Sequence, residues 1–242
     1  MATPHRNSPG WSQAVVLCGG SPHAHEFGEI RSALDEILTE VGCATSHVEH
    51  PDALPAALER SGGSGALLVV HGLWWRMLGE AYEPWREAWG YATSAGLRDA
   101  FEVHLDRGGS LLAMHTSPIC FDDWSPWGDL LGGSWQWGVS SHPPPSPQRV
   151  EITSHPICEG VSDDWIVVDE IYGDLAISAH VDVAAWGRRT PDDDRQPIVW
   201  THAVGAGRIV VDLLGHDRRS LDDPDHRRLL ANAVDWLREE RT

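Results

Sequence analysis

Gly108-Gly109-Ser110-Leu111-Leu112-Ala113-Met114-His115-Thr116-Ser117-Pro118 decides the fold class. The glycine pair ends the preceding segment, and the run that follows is apolar without alternation. Such a run reads as a strand buried on both faces, the pattern of a parallel sheet covered by helices. His115 stands where the run stops. Working outward, the same layout recurs. Ala14 to Leu17 leads through Cys18-Gly-Gly-Ser-Pro to His23 and His25, Ala66 to Val70 leads to His71, and Arg208 to Leu213 leads through Leu214-Gly215 to His216. These five of the fourteen histidines are therefore expected along the carboxyl edge of one sheet, where open α/β sheets bind ligands. Imidazole titrates near neutral pH and is the commonest metal ligand, so the pattern points to a site.

Helical periodicity fills the gaps between these runs. Phe27, Ile30, Leu34, Ile37, Leu38 and Val41 keep helical spacing from Glu26 until Gly42, a short helix follows Pro51 from Ala53 to Arg60, and Ala95 to Asp106 is amphipathic. Ala44 to Val48 reads as a second strand. Strands alternating with helices imply right-handed crossovers and a three-layer α/β/α arrangement, flavodoxin-like or glutamine-amidotransferase-like. Further strands are expected at Arg149 to Ile152, Trp165 to Val168, Val181 to Trp186, Pro197 to Thr201 and Arg208 to Leu213, with a hairpin turn at Thr190-Pro-Asp-Asp-Asp-Arg. They predict an antiparallel extension of a mostly parallel sheet, closed by a helix from Pro224 to Glu239. Residues 1–10 read as a polar, disordered leader and residues 11–242 as one α/β domain.

Composition excludes several partners. With 18 basic and 36 acidic residues the formal net charge is −18, which repels nucleic-acid phosphates and anionic membrane surfaces. No apolar stretch approaches the roughly 20 residues of a spanning helix, and the first residues lack a signal-peptide core, so a cytoplasmic protein is the default. A homo-oligomer is compatible with the sequence. Cys18, Cys43, Cys120 and Cys158 show no C-x-x-C spacing and read as buried thiols, with Cys120 a minor candidate nucleophile near His115.

Thirteen tryptophans are the outlier. Trp74, Trp75, Trp85 and Trp89 follow the His71 strand, and Trp124, Trp127, Trp135 and Trp137 follow the His115 strand. Single tryptophans commonly fill cores, but eight in two segments after strands suggest an aromatic mouth above the sheet edge, suited to the flat apolar faces of sugars. At the place of His115, amidotransferase-like and hydrolase-like sheets carry Cys or Ser on a tight turn. Imidazole cannot support the usual acyl-enzyme route, and no G-x-C-x-G or G-x-S-x-G lies nearby, which excludes glutaminase and α/β-hydrolase chemistry. Glu170 ends another apolar run and would bring a carboxylate to the same edge, with Tyr172 as a phenol donor. Several histidines with a glutamate make either an acid–base pair or a set of Zn²⁺ ligands, although no H-E-x-x-H spacing occurs.

The same residues carry a resemblance. Gly19-Gly20 with His25-x-Phe27, Met114-His115, Leu131-Gly-Gly followed by His142-Pro, His155-Pro-Ile-x-x-Gly160, Asp169-Glu170-x-Tyr172, Pro197-x-x-Trp200, Gly205-x-Gly-Arg208 and Leu214-Gly-His216 occur in one order. Together they resemble the trehalose-utilisation, ThuA-like family over about residues 14 to 237. The resemblance implies a class I glutamine-amidotransferase-like fold and a role in carbohydrate metabolism, on disaccharides or keto-sugar glycosides. Some relatives look like metal-binding proteins. The chain departs from the pattern in doubling the first-loop histidine, His23-Ala-His25, and in the tryptophan content of residues 124–137.

The sequence therefore predicts an enzyme that hydrolyses or isomerises a small carbohydrate by general acid–base chemistry. His115 and Glu170 are its base and acid and His216 the third catalytic residue. His25, His71, Trp124, Trp135, His142 and Tyr172 are expected to bind substrate, and His25, His115, Glu170 and His216 to hold Zn²⁺ or another divalent metal if one is used. The rival reading is a sugar-binding or sensing module with a tryptophan-lined cleft and no chemistry; a metal-dependent hydrolase of another substrate class is the third.

Overall fold

The computed structural model describes residues 12–239; the expected leader at residues 1–10 lies outside them. The strands are β1 (Gln13–Gly20), β2 (Ala44–Val48), β3 (Leu67–Leu73), β4 (Ser110–Met114), β5 (Gly133–Ser134), β6 (Ser146–Arg149), β7 (Glu151–Ile152), β8 (Ile166–Asp169), β9 (Ala176–Ile177), β10 (Asp182–Gly187), β11 (Gln196–Val204) and β12 (Gly207–Asp212). The helices are α1 (Phe27–Glu40), α2 (Leu54–Arg60), α3 (Glu83–Trp89), α4 (Ala95–Asp106), α5 (Pro126–Leu131), α6 (Arg218–Leu221) and α7 (Pro224–Arg238). Eight strands form one sheet in the order β2-β1-β3-β4-β12-β11-β10-β7.

The first five strands in that order are mutually parallel, and β11, β10 and β7 each run antiparallel to the neighbour before them. The unbroken apolar runs of β3 and β4 are buried throughout, because helices cover both faces. β2, at the edge, alternates. α1, α6 and α7 pack together, and α2 packs on α4, giving the three layers expected. α1 buries Ile30, Leu34, Ile37 and Leu38 on one stripe and is followed by Gly42 at φ +77°. α7 starts on Asp223, whose carboxylate accepts from the amides of Asp225 and His226.

The β10–β11 hairpin turns through residues 188–195, as the Thr190-Pro-Asp-Asp-Asp-Arg reading requires. Two expectations for the second half are corrected. The run at Trp165 to Val168 does not extend the main sheet: β8 pairs antiparallel with β6 in a separate ribbon, Ser146 opposite Asp169. The strand expected at Arg149 to Ile152 is divided at Val150, with β6 serving β8 and β7 serving β10. Val150, where the chain changes partner, is fully buried and donates its amide to Trp165 O.

Candidate functional site

Because β1, β3, β4 and β12 are parallel, their carboxyl ends lie along one edge. The crevice opens there, between β1 and β3, where the chain order reverses. Register sets the depth of each side chain: His71 is level with Cys18 on one side and Met114 on the other, and Met114 is level with Asp212. His115 comes one residue later, at φ +44°, with its amide donating to Asp212 O at 2.7 Å. A left-handed conformation is rare for a residue with a side chain, and it turns this imidazole sharply at the strand end.

His115 Nδ1 donates to Leu213 O at 3.0 Å, so Nε2 is left with its lone pair. That Nε2 stands 3.2 Å from His216 Nδ1 and 3.7 Å from Glu170 Oε2, and Glu170 Oε2 is 3.6 Å from His216 Nδ1. Glu170 Oε1 is 3.2 Å from His142 Nδ1, and the Tyr172 hydroxyl is 3.5 Å from His115 Nε2. The His25 ring lies 5.0 Å from that of His115 and 4.7 Å from that of His216, centroid to centroid. Residues separated by up to 191 positions in sequence thus share one cluster.

Two buried carboxylates hold the loops that deliver these groups. Asp169 accepts from the amides of Glu170 and Gly215, each at 2.7 Å, and so ties the backbone beside Glu170 to the backbone beside His216. Asp212 accepts from Leu214 N at 3.0 Å and from His226 Nε2 at 2.9 Å, while His226 Nδ1 is 3.0 Å from Ser220 Oγ. Ser220, His226 and Asp212 have the order of a hydrolase triad, but all three are fully buried, so they brace the turn.

The electrostatics separate the histidines into two groups. Burial lowers His25 to about 3, helped by His71 and His216, and lowers His71 to about 4. Burial and the surrounding His25, His71 and His216 take His115 well below its usual value. Burial would push Glu170 up, but hydrogen bonds and charge from His142 and His216 hold it at about 2. In return Glu170 raises both His142 and His216 against the effect of burial. The centre is thus an ionised carboxylate between two imidazoles whose protonation it favours, backed by three that burial holds in the neutral form. Glu170, expected from the sequence to be the acid, is favoured in its ionised form, and His142 and His216 are the imidazoles its charge biases towards protonation.

The geometry also suits a divalent ion. Donor atoms around a tetrahedral Zn²⁺, bonded at about 2.0–2.1 Å, lie roughly 3.3 Å apart. The 3.2 Å between His115 Nε2 and His216 Nδ1 matches, and single donor atoms of His25, His115 and His216 lie within 4.8 Å of one another. His25 Nδ1 is buried without a hydrogen-bond partner, and the Leu213 carbonyl fixes the His115 tautomer in the manner of an outer-shell ligand.

A cavity of about 290 Å³ opens onto this cluster. His25, His142, Glu170, Tyr172 and His216 line it together with Trp75, Tyr82, Trp135 and Trp137. His71 and His115 are fully buried and lie behind that lining. His71, expected to touch substrate, instead donates its Nε2 to Gly215 O at 2.8 Å. Trp124 is also not on this cavity; it stacks on Phe101 and Trp127. Trp74 seals β3, lying so close over Gly72 that a Cβ there would come within 1.9 Å of its ring. Burial pushes the Cys120 thiol to about 12, and Sγ donates to Gly72 O at 2.9 Å, so it is no nucleophile. Asp169, Trp75 and Tyr82 were not singled out individually from the sequence, although Asp169 adjoins Glu170 and Trp75 lies in the first tryptophan cluster.

The family model for trehalose utilisation, ThuA, matches residues 84–237. That span contains His115, His142, Glu170, Tyr172 and His216 and leaves out His25 and His71. Among solved structures, a ThuA-like protein of Parabacteroides merdae superposes with a TM-score of 0.72 at 16% identity, covering 94% of this chain and 90% of its own. A ThuA-like protein of Bacteroides uniformis gives 0.69 at 16% identity, covering 98% and 95%. A cytoplasmic protein of Salmonella typhimurium gives 0.61 at 14% identity, covering 94% and 100%. At these identities the likeness speaks to the fold alone, which is the mostly parallel, amidotransferase-like α/β sheet already described. By sequence the chain has no match among the curated proteins. With the family model matched over residues 84–237, more than half of its length, this chain belongs to the trehalose-utilisation, or ThuA, family.

Proposed function

We propose that the protein is a cytoplasmic carbohydrate-processing enzyme that acts on a disaccharide or keto-sugar glycoside by general acid–base chemistry. The observation that carries this reading is Glu170, an ionised carboxylate between His142 and His216 on the floor of a tryptophan-walled cavity. On a 3-keto-glycoside, Glu170 takes the proton from the carbon between the ketone and the anomeric centre. His142 or His216 gives a proton to the departing glycosidic oxygen, and the C–O bond breaks as the double bond forms. General acids and bases of this kind each contribute on the order of 10² to 10⁴ in rate. His115, out of reach of the cavity, accepts from His216 Nδ1 through the lone pair of its Nε2 and so orients His216. A divalent ion such as Zn²⁺, for which His25, His115, His216 and Glu170 are the fitting donors, supplies Lewis-acid polarisation of a carbonyl or hydroxyl when bound.

Glu170→Gln tests the reading. We expect turnover of a 3-keto-disaccharide, followed by mass spectrometry, to drop at least ~10²-fold while saccharide binding changes by a few-fold at most; a fully active variant overturns the assignment. Metal analysis of the purified protein decides the ion: less than about 0.1 equivalent of Zn, Mn or Fe argues against it, and stoichiometric metal removed by a chelator supports it. The aromatic lining by itself would also serve a sugar-binding module. That reading predicts saturable quenching of tryptophan fluorescence with no product after long incubation.

A further inference from the structure

Beside the histidine-lined cavity lies a second one, of about 210 Å³. The two abut along Ile119, Trp135 and Trp137, which line both. At roughly 30 Å³ per water in the liquid, the first holds about ten waters and the second about seven, room for one ring with its hydroxyls in each. The second cavity adds Trp124, Ser125, Ser134 and the carboxylate of Asp122. Asp122 is fixed: its side chain is 8% exposed and accepts from Arg76 N at 2.9 Å and Arg76 Nε at 3.3 Å. Two accepted bonds leave further lone pairs on the carboxylate. No Lys, Arg or His is among the described residues lining this cavity. Trp137, on the wall between the two, is 48% exposed, a large apolar ring left open to solvent.

We propose that this second cavity is a distal sugar subsite, which takes the non-reacting ring of a neutral disaccharide while the reacting ring sits against Glu170. The inference rests on the carbohydrate reading and sharpens it. Indole faces accept the apolar C–H face of a pyranose, and Asp122, Ser125 and Ser134 accept from its hydroxyls. A phosphate on the distal ring would face the Asp122 carboxylate, whose guanidinium partner Arg76 is already engaged with it and does not line the cavity. The substrate class is therefore an unphosphorylated disaccharide. The placement also gives Trp124 a share in binding, one cavity away from where the sequence suggested.

The test is calorimetric titration of the full-length protein with glucose, with the neutral glucose disaccharides trehalose, maltose and cellobiose, and with trehalose 6-phosphate. Ser125 is exposed and caps no helix through its side chain, so Ser125→Trp can fill the second cavity without disturbing the fold. We expect at least one neutral disaccharide to bind tenfold or more tightly than glucose. Ser125→Trp should abolish that advantage and leave glucose binding unchanged, and Trp137→Ala should weaken the disaccharide in the same direction. Glucose bound as tightly as every disaccharide, or a Ser125→Trp protein with undiminished disaccharide affinity, overturns the subsite alone. A phosphorylated disaccharide bound as well as the neutral one overturns its neutrality. Binding of no saccharide at all overturns the carbohydrate reading and the subsite with it.

Discussion

His115 is held at φ +44° by the bonds around it, its amide on Asp212 O and its Nδ1 on Leu213 O. A side chain in that region costs of order 1–3 kcal/mol, a penalty glycine escapes. Removing the imidazole with and without relief of the backbone separates the two contributions. We expect His115→Gly to be more stable than His115→Ala by about 1 kcal/mol, or roughly 2–4 °C in melting temperature for a chain of this size. Both variants lose the bond that orients His216 and should be inactive. Equal stability of the two would show that the turn carries no strain. The position of His115 at a strand end is legible in the sequence; its dihedral angle is not. His71 has the same sequence signature, yet its ring turns inward to the Gly215 carbonyl. Which way an imidazole points depends on a carbonyl 144 residues away, and no local pattern records that.

Among the elements, the turn after β12 and the segment after β8 matter most, because one carboxylate serves both. Asp169→Asn replaces an oxygen with an NH₂ that must face the amide of Gly215 or of Glu170, leaving a buried donor unpaired at a cost of about 1–3 kcal/mol. We expect faster hydrogen exchange at Gly215 and Glu170, with protection in β1 unchanged. Exchange at those two amides equal to wild type would remove Asp169 from its positioning role. Most of the parallel half of the sheet is readable because β1, β3, β4 and β12 are largely apolar runs, and the expected ranges for β2, β4 and α4 coincide with those observed. β8 pairs outside the main sheet for a physical reason. Its apolar run states that it is buried but not which strand it pairs with, and its partner β6 follows the Pro-rich stretch from His142. Even so, Glu170 reaches the expected edge, carried there from a ribbon outside the main sheet.

For the whole molecule, gathering neutral histidines at one buried edge makes the fold sensitive to acid. His25 is lowered by burial and by His71 and His216 to about 3, His71 by burial to about 4, and His115 further below its usual range. In the unfolded chain each takes up a proton near pH 6.5. Between about pH 6.5 and 4 the unfolded state therefore binds more protons than the folded state, and stability rises with pH and is lost as pH falls. Three such groups give a slope approaching about 4 kcal/mol per pH unit around pH 5, where the unfolded imidazoles are charged and the folded ones are still neutral. His226 acts in the opposite sense: burial would lower it, but Asp212 raises it, so its contribution is present below about pH 6.5 and disappears as pH rises through the folded value. Stability should peak near neutrality. Acid also discharges the net charge of −18 and relieves self-repulsion, so the slope of the wild-type protein alone does not isolate the histidines. His71→Gln does, since glutamine can still donate to the Gly215 carbonyl but does not titrate. Urea unfolding at a series of pH values from 4.5 to 7 should give a pH slope smaller by up to about one proton in His71→Gln than in wild type. An identical slope in the two proteins would mean that His71 is not held neutral by its burial, and the account of the buried imidazoles as a neutral group would fail with it.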